Sequence, residues 1–361
     1  MTGLNRRHLI ASGLALALPA PALASRCRTS RAQVEGGWEP GATLPIQTQE
    51  IYPAVLDDDM YLAGGLSTDG PNPINITDRA FALRSWTPVS STPGGDVVRL
   101  GCDADWHEIA PLPEPRHHPH LVGHGGKIHA LGGFKAGNGG AWNMIRNHTV
   151  YDPRKNTWTE TTPLPGPLGE TVATSHEGRI HAVTGRQPTG GGNANWGHHG
   201  DVGVHYVYDS RTDRWESAAP NPNPRNSAAG VHMADGWHVV GGRRVNEGNL
   251  AHHEVYDFES DRWETRAPMP QGQGGLAAGQ LGGELYAFGG EWFADGGGVY
   301  PNCWIYDPQS DSWRNGPSML TPRHGLGAVS TPDRIITVAG ATRVGGDGTS
   351  GIVEYLYRAS E

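Results

Sequence analysis

Short apolar runs separated by glycine-rich and polar segments recur along most of the chain. In a typical unit an apolar run such as 127–131 leads into a glycine pair, and a second short run ends in a Tyr-Asp pair. Apolar runs of roughly four to eight residues bounded by turn-forming residues are typical of β-strands. Each unit therefore predicts four short strands, named a to d here. Strand a follows a proline-rich loop, b ends at the glycine pair, c ends at Tyr-Asp and d carries a tryptophan.

Tryptophans give the length of the repeat. The six that mark the units are Trp38, Trp106, Trp158, Trp215, Trp263 and Trp313. Their successive spacings are 68, 52, 57, 48 and 50 residues, and four of them follow the aspartate of a Tyr-Asp pair by 6 positions. Recurrence of this kind indicates repeated supersecondary units that bury their faces only by stacking on one another.

This ordered set of an apolar run, Gly-Gly, Tyr-Asp and tryptophan resembles the kelch repeat over about residues 38–361. The resemblance implies an all-β fold, a six-bladed kelch β-propeller. The two ends of the chain complement each other, because the last unit lacks a tryptophan after its third strand whereas Trp38 has no strands before it. We expect residues 36–46 to supply strand d of the sixth blade, which closes the ring and removes an exposed sheet edge.

The first unit departs from the pattern. Its long spacing leaves a segment rich in Pro, Ser, Thr and Asn at about residues 70–95. This composition predicts a long loop, and the position of strand c in this unit stays open.

The first 24 residues have the features of an export signal rather than of the fold. Arg6-Arg7 precedes a mildly apolar stretch at 9–18, and Ala22-Leu23-Ala24 has the small-x-small pattern of a cleavage site. The stretch is too short to span a membrane. We expect a twin-arginine signal, with the Sec route as the alternative, and a periplasmic or secreted protein without a membrane anchor. Residues 25–361 then form one propeller domain.

Charge and cysteine content narrow the classes of partner. The chain carries 28 Lys+Arg against 37 Asp+Glu and has a net charge of −9. An acidic chain without a basic run argues against nucleic acid as a partner. Three cysteines do not make a disulfide framework. Cys27 and Cys102 could pair in an oxidising compartment, since ring closure brings the N-terminal segment beside the first blade.

Loop length predicts which face of the propeller carries function. The a–b and c–d turns are short, whereas the b–c connections are long, and binding residues usually lie on the longer loops of a rigid scaffold. The long connections are 66–76, 134–147, 186–203, 243–252, 291–302 and 341–350. Because the b–c and d–a connections emerge together, we expect a site at this face, over the central channel.

The d–a loops repeat a Pro-Arg step at Arg116, Arg225 and Arg323. These arginines have two interpretations, as structural donors to loop carbonyls or as residues that line the site. In kelch propellers the next residue more often faces the pocket. In this chain those residues are His117, Asn226 and His324, and strand register predicts equivalent places for Glu50, Gly169 and Gly274.

Histidine is frequent, with 18 residues. His148, His205 and His253 recur three positions before the Tyr of Tyr-Asp, which indicates packing and hydrogen bonding between blades. The histidines left as site candidates are His117, His118, His120, His198, His199, His252 and His324. A metal site needs three or four of them to converge and no compact metal motif is present, so we expect neither a metal nor another cofactor.

Aromatic residues on the b–c loops stand beside polar ones, a combination that suits a sugar, because flat rings pack on C–H groups while polar groups bond hydroxyls. The alternative is that these rings hold glycine-rich loops in place. The predicted ligand-binding set is Glu50, Arg116, His117, His118, Trp142, Trp196, Arg225, Asn226, Arg243, Glu291, Trp292, Arg323 and His324.

These features predict a monomer that binds a small polar ligand, with a carbohydrate favoured. Catalysis stays open. A carbohydrate-active enzyme similar to sialate mutarotases is one alternative, with Glu50, Glu170 or Glu291 as the acid or base. A copper oxidase similar to galactose oxidase is less favoured, because Cys303 lies on strand c without an obvious tyrosine partner. A scaffold for a protein partner is the third.

Overall fold

The computed structural model describes residues 37–84 and 106–358. The predicted signal (1–24), Cys27, Cys102 and part of the irregular loop of the first unit lie outside these residues. Thirty-four strands are numbered in chain order, and three short 3-10 helices lie in the b–c loops at Asn138–Gly140, Trp196–His198 and Ala294–Gly296.

The first half of the chain forms the closing strand and blades 1 to 3. Up to the end of blade 1 the strands are β1 (Gly37–Pro40), β2 (Thr48–Gln49), β3 (Ala54–Leu56), β4 (Asp59–Ala63), β5 (Leu66–Ser67), β6 (Asn75–Ile76), β7 (Ala80–Leu83) and β8 (Trp106–Ile109). Blade 2 and its loop contain β9 (His120–His124), β10 (Lys127–Leu131), β11 (Phe134–Ala136), β12 (Trp142–Met144), β13 (His148–Asp152) and β14 (Thr157–Glu160). Blade 3 and its loop contain β15 (Val172–His176), β16 (Arg179–Val183), β17 (Arg186–Pro188), β18 (His199–Asp201), β19 (His205–Asp209) and β20 (Arg214–Ser217).

Blades 4 to 6 follow the same order. Blade 4 and its loop contain β21 (Ala229–Met233), β22 (Gly236–Val240), β23 (Arg243–Arg244), β24 (Gly248–Asn249), β25 (His253–Asp257) and β26 (Arg262–Thr265). Blade 5 contains β27 (Gly274–Leu281), β28 (Glu284–Trp292), β29 (Gly298–Val299), β30 (Cys303–Asp307) and β31 (Ser312–Asn315). Blade 6 contains β32 (Gly327–Ser330), β33 (Arg334–Val338) and β34 (Val353–Tyr357).

Each blade is a four-stranded antiparallel sheet in the predicted order a-b-c-d, and its tryptophan lies on the outermost strand. In the sixth blade the order is β32-β33-β34-β1, with Trp38 paired opposite Leu356. The predicted all-β propeller and its closure by the N-terminal strand are therefore confirmed. Strand c of blade 1, which the sequence left open, is β7, and it pairs with β4.

The tryptophans explain why the repeat has this spacing. Each indole Nε1 donates a hydrogen bond to a backbone carbonyl oxygen at the end of strand d of the preceding blade. The six bonds are Trp38 to Pro317 (2.8 Å), Trp106 to Ala42 (3.1 Å), Trp158 to Ala110 (2.7 Å), Trp215 to Thr162 (3.0 Å), Trp263 to Ala219 (2.9 Å) and Trp313 to Ala267 (2.8 Å). The ring is thus latched at all six junctions, including the one between its two ends.

A second contact reinforces the latch in blades 2 to 5. The residue two positions before the tryptophan is Asn156, Asp213, Asp261 or Asp311, each with φ of 47° to 52°. Asn and Asp tolerate this left-handed conformation better than most residues. In blade 4 the Asp261 carboxylate accepts bonds from the Tyr256 hydroxyl (2.7 Å) and from the Ala219 backbone N–H (2.8 Å) of blade 3. The tyrosine of each Tyr-Asp pair therefore helps to fasten its blade to the previous one.

Histidines of strand c make a third repeated contact in blades 2 to 4. The ring Nε2 of His148, His205 and His253 lies 2.8 to 3.0 Å from Nδ1 of a strand b histidine of the same blade. On the other side, the His205 ring packs edge-on against Tyr256 of the next blade, with centroids 4.6 Å apart. These histidines therefore bridge neighbouring blades.

Candidate functional site

The site is built where the d–a loops meet the starts of the b–c loops around the axis. Each blade contributes two consecutive residues there. The first forms a bridge to the residue after the glycine pair of strand b, and these first residues are Gln49, His117, Gly169, Asn226, Gly274 and His324. The second has φ between 50° and 70°, and these second residues are Glu50, His118, Glu170, Ser227, Gly275 and Gly325.

This register corrects one expectation. We expected Glu50 to be equivalent to His117, but Gln49 pairs with Leu66, the residue that follows the glycine pair of blade 1. Glu50 is therefore the equivalent of His118, one position further on. Gly169 and Gly274 do lie in the expected position.

The second residues close the axis with their backbones. Four of their N–H groups donate to the carbonyl oxygen of the neighbouring second residue: Gly275 to Ser227 (2.9 Å), Gly325 to Gly275 (2.9 Å), Glu50 to Gly325 (2.7 Å) and His118 to Glu50 (2.9 Å). A left-handed conformation suits glycine but strains a residue with a side chain by about 1 kcal/mol or more. Blades 5 and 6 have glycine here, whereas blades 1 to 3 place charged or titratable side chains on the axis.

These side chains form what we call the axial cluster: Glu50, His118, Glu170, Arg186, Arg243, Glu291 and His324. Three carboxylates alternate with basic groups around the axis. The N···O distances are 2.7 Å for His118–Glu50, 3.7 Å for His118–Glu170, 3.3 Å for Arg186–Glu170, 2.7 Å for Arg243–Glu291, 3.4 Å for His324–Glu291 and 3.6 Å for His324–Glu50. The carboxylate of Glu50 is the most accessible of the three, with 13% of its side chain exposed.

Electrostatics assigns the protonation states at the Glu50–His118 pair. Burial alone would lower the pKa of His118, but the Glu50 and Glu170 carboxylates raise it above its ordinary value. Burial alone would raise the pKa of Glu50, but His118, His324 and Arg243 hold it well below its usual range. Both shifts favour the ionic form of the pair, a Glu50 carboxylate beside a protonated His118.

The neighbouring His117 is neutral, because burial and the charge on His118 lower its pKa well below the ordinary value. The two Nδ1 atoms lie 2.7 Å apart, so the protonated His118 donates and His117 accepts. The proton of His117 is then on Nε2, and this atom has no hydrogen-bond partner among the residues that the structure describes.

Exposed aromatic rings stand around the axial cluster. Trp142, Trp196 and Phe293 on three different b–c loops are 43%, 48% and 62% exposed. Trp142 meets the His117 ring edge-on at 4.4 Å, and the Arg186 guanidinium lies 3.5 Å from the centre of the Trp196 ring. The Arg243 guanidinium lies 5.4 Å from the Phe293 ring. We call these three residues the aromatic rim.

Trp292 lies apart from this rim. It is only partly exposed and packs on Tyr300, with ring centroids 4.8 Å apart. Of the two interpretations of the loop aromatics, holding a loop in place therefore fits Trp292, and a surface open to a ligand fits Trp142 and Trp196.

The Pro-Arg arginines do not join the site. Arg225 and Arg323 are fully buried and form ion pairs with Glu254 (2.5 Å) and Glu354 (2.9 Å) on strand c of their own blades. Arg116 donates instead to the carbonyl oxygens of Gly132 (3.3 Å) and Asn147 (3.4 Å). Their inclusion in the predicted ligand-binding set is thus corrected in favour of the structural interpretation, because the short d–a loops direct the guanidinium groups back into the blade.

The remaining candidates divide in the same way. Asn226 lies at the axis, where it accepts from Arg243 Nε (3.4 Å) and donates to Asp201 (2.6 Å). His120, His198, His199 and His252 belong to neither the axial cluster nor the aromatic rim. Within residues 37–84 and 106–358, no group of three or more His, Cys, Asp or Glu side chains has the arrangement of a metal site.

Cys303 is inert in this setting. It is buried against the core of blade 5, and burial raises the pKa of its thiol to about 12. A thiol with such a pKa is protonated and unreactive at neutral pH.

Sequence patterns did not identify Arg186, and they gave too little weight to Glu170 and Phe293. Arg186 did not appear among the candidates, although it shares with Arg243 and Glu291 the position directly after the glycine pair. Glu170 entered only as a potential acid or base, and Phe293 did not enter the predicted set. Alignment of the residues after the six glycine pairs would have found the two arginines and Glu291 together.

Comparisons with known proteins agree with this architecture. The family model of the Kelch motif matches residues 274–320. The solved "Structure of YjhT" superposes with a TM-score of 0.67 and 16% sequence identity, covering 88% of this chain and 95% of that one. At this identity the superposition shows the fold alone.

The chain is also similar to curated proteins named Kelch-like. "Kelch-like protein terF" of Aspergillus terreus (strain NIH 2624 / FGSC A1156) is 27% identical over 340 residues, which is 90% of this chain and 69% of that protein. Kelch-like protein 40 of Xenopus laevis and Kelch-like protein 35 of Mus musculus are each 28% identical over 38% and 57% of this chain. The chain spans 20% and 29% of the lengths of these two relatives.

Proposed function

The chain is a kelch-repeat β-propeller, and its axial cluster and aromatic rim lie at one face of the axis. We propose that it binds a carbohydrate at that face. One observation carries the proposal: each exposed ring of the aromatic rim contacts a polar side chain at the axis. Trp142 contacts His117, Trp196 contacts Arg186 and Phe293 contacts Arg243. A sugar needs this pairing, since its C–H face packs on a ring while its hydroxyls bond to groups beside the ring.

Hydrogen-bonding capacity at the axis supports the same class of ligand. His117 Nε2 is a donor without a partner among the described residues, and it belongs to the ring that Trp142 contacts. Arg243 already binds Glu291 at 2.7 Å and keeps about a tenth of its side chain exposed. Arg243 can bond and orient a hydroxyl with little reorganisation, because its ion pair with Glu291 fixes its rotamer.

Acid–base chemistry on the bound sugar is the second candidate. The Glu50 carboxylate is partly exposed and lies 2.7 Å from a protonated histidine, so a proton acceptor and a proton donor stand side by side. An isomerase that moves a proton between sugar oxygens would use this pair. Binding without turnover requires only the aromatic rim and the fixed donors.

A protein partner is the competing occupant of the same face. The relatives are Kelch-like proteins, and apolar rings exposed on loops are typical of surfaces that bind another protein. The rim rings, however, belong to three separate loops around a charged centre, whereas a protein interface usually has its apolar residues at the centre and polar ones around them.

Export accompanies the proposal. The Arg6-Arg7 step and the Ala22-Leu23-Ala24 pattern lead us to propose a periplasmic or secreted monomer. No helix in the described part of the chain is both long and apolar enough to cross a membrane. Fractionation of cells that express the full chain, and of cells that express an Arg6→Lys, Arg7→Lys variant, tests export: the variant protein accumulates in the cytoplasm.

Calorimetric titration with a panel of neutral and acidic mono- and disaccharides tests the binding proposal. The Trp196→Ala variant should weaken binding about tenfold, because stacking on one ring contributes about 1–2 kcal/mol. Leu320→Ala is the matched control, since Leu320 is 56% exposed and belongs to neither the rim nor the axial cluster. Equal affinities in the two variants, or no affinity for any sugar of the panel, would contradict the proposal.

A further inference from the structure

A large cleft lies between blades 3 and 4, away from the aromatic rim. Its volume is about 820 Å³. The a–b turns of both blades and the c–d turn of blade 4 line it, so it opens toward the ends of the blades opposite to the b–c loops. No member of the axial cluster contributes to its walls.

The c–d turn of blade 4 carries an aromatic residue at a position where blades 2, 3 and 5 carry none. Phe258 follows Tyr-Asp at the position held by Pro153, Ser210 and Pro308 in blades 2, 3 and 5. The Phe258 ring lies parallel to His176, with centroids 3.8 Å apart and an interplanar angle of 16°. It thus forms an aromatic floor between the two blades.

The buried His181 offers a hydrogen-bond acceptor to this cleft. His181 is 7% exposed and lines the cleft, and its Nδ1 lies 3.0 Å from Nε2 of His205. The Nδ1 of His205 donates to the carbonyl oxygen of Ala219 (3.1 Å), since a carbonyl can only accept. Burial lowers the pKa of His205 to about 4 and that of His181 to about 3, so both rings are neutral.

These bonds determine the tautomers. With its one proton on Nδ1, His205 accepts at Nε2, and His181 must therefore donate from its Nδ1. Nε2 of His181 then carries a lone pair and no proton. This atom has no hydrogen-bond partner among the residues that the structure describes. A ligand in the cleft therefore meets an unpaired acceptor at its wall.

Charge around the cleft is strongly one-sided. Its lining contains one arginine, Arg179, which lies 3.9 Å from Glu216. Its carboxylates are Glu177, Glu216, Asp235, Asp257, Glu259 and Asp261. Hydrogen bonds from Ser260 and the backbone lower the pKa of Asp257. The cleft therefore repels anions and attracts cations at neutral pH.

We propose that this cleft binds an organic cation with N–H donors, a primary ammonium or a guanidinium group. Such a group donates to the lone pair of His181 Nε2 while the exposed Glu177 and Glu259 carboxylates balance its charge. Phe258 provides an apolar surface for the carbon chain of the cation. The source is either a free polyamine or a lysine- or arginine-bearing peptide, because both present the same donor groups.

Binding of three probes to the full chain tests this proposal. Spermidine and a tetra-arginine peptide carry N–H donors, whereas tetramethylammonium carries charge without a donor. We expect spermidine or the peptide to bind at millimolar concentration or tighter, and tetramethylammonium to bind at least about tenfold more weakly, the effect of one charged hydrogen bond. The tighter of the first two identifies the source. Equal binding of tetramethylammonium and spermidine, or no binding of any donor probe, would overturn the proposal.

Variants separate the cleft from the proposed carbohydrate site. His181→Phe keeps an aromatic ring and removes the acceptor, and should weaken spermidine about tenfold or more. Glu259→Gln, on an exposed turn that does not endanger the fold, should weaken it several-fold. Trp196→Ala should leave spermidine binding unchanged. Loss of binding with Trp196→Ala but not with Glu259→Gln would place the cation elsewhere and refute the assignment.

Discussion

The outer layer of the propeller and its axis follow opposite rules. In the outer layer every blade makes the same bond, from its tryptophan Nε1 to a carbonyl oxygen of the preceding blade, at 2.7 to 3.1 Å. At the axis the same backbone position holds Glu50, His118, Glu170, Ser227, Gly275 or Gly325. The blades repeat one contact where the ring is held together, and they differ at the axis, where the proposed ligand would bind.

We expect the largest loss of stability when the contact between the two ends of the chain is removed. Deletion of residues 37–46 removes strand β1 and with it the Trp38 contacts to Phe288, with ring centroids 5.1 Å apart, and to Pro317 O. Strand β34 then loses its partner and becomes an exposed edge. We expect loss of the cooperative unfolding transition, measured by circular dichroism on heating.

The control for this deletion is the shortening of an exposed b–c loop, 137–141, by the same assay. A truncated protein that melts at the wild-type temperature would refute the role of the N-terminal strand in closure.

This layer is also what the sequence could predict. Trp, Tyr-Asp and the glycine pair recur at fixed local spacing because each blade has the same four strands and makes the same contact with the preceding blade. The histidines of strand c were predictable for the same reason. One position failed: a one-residue shift made Glu50 the equivalent of His117, whereas the pairing of Gln49 with Leu66 makes it the equivalent of His118.

The axis could not be predicted in the same way, because its contacts join residues that are far apart in the chain. Glu50 lies 3.6 Å from His324, and Arg243 lies 2.7 Å from Glu291. No local pattern encodes these pairs, which follow from ring closure and from side-chain rotamers. Residue type does not separate the Pro-Arg arginines from the axial arginines either, because only their contacts in the folded chain distinguish them.

The next effect contrasts a buried Pro-Arg arginine with an arginine on the surface. Arg323→Met leaves the Glu354 carboxylate buried without its cation and removes donors to the carbonyl oxygens of Ala339 (3.0 Å) and Ile352 (2.7 Å). Breaking a buried ion pair lowers the free energy of unfolding by about 3–5 kcal/mol. Urea denaturation measures it.

Arg314→Met is the matched control, since the Arg314–Glu284 pair (2.6 Å) has an arginine that is half exposed. An exposed pair contributes about 0–1 kcal/mol. Equal losses in the two variants would show that the Pro-Arg arginines do not hold the blades as the structure indicates.

The stability of the two regions depends on pH in opposite directions, because the pKa of His118 at the axis is raised and that of His205 between the blades is lowered. The pKa of His118 is raised above 6.5 in the folded protein, so its contribution to stability is complete below pH 6.5 and is lost as the pH rises through the folded value. Burial lowers the pKa of His205 from 6.5 to about 4, so its neutral form stabilises the fold above pH 6.5 and this stability is lost as the pH falls toward 4.

We therefore expect His118→Gln to destabilise the protein more at about pH 6 than at about pH 8.5, and His205→Gln to make the stability less sensitive to acid than that of the wild type. Melting temperatures of the three proteins from about pH 4 to about pH 8.5 measure both. For His205 the change is at most about 3 kcal/mol, from its pKa difference. If the melting temperatures of all three proteins changed with pH in parallel, the opposite roles assigned to His118 and His205 would be refuted.

We expect the smallest effect on stability from a substitution in the aromatic rim. Its comparison with a substitution in the outer layer tests the difference between the two regions most directly. Trp196→Ala removes a ring that is 48% exposed and leaves the bond from Arg186 Nη2 to the backbone carbonyl of residue 196 intact. We expect a change in unfolding free energy within about 0.5 kcal/mol, as for surface substitutions.

Trp215→Ala, which removes a latch bond of 3.0 Å and the packing on His148, should lower the unfolding free energy by about 3–5 kcal/mol. Urea denaturation gives the unfolding free energies of the two variants, and titration gives their sugar affinities. Together they distinguish a ring that stabilises the fold from one that binds a ligand. A rim tryptophan whose loss destabilises the protein as much as the loss of Trp215 would be a packing residue, and the carbohydrate proposal would lose the observation that carries it.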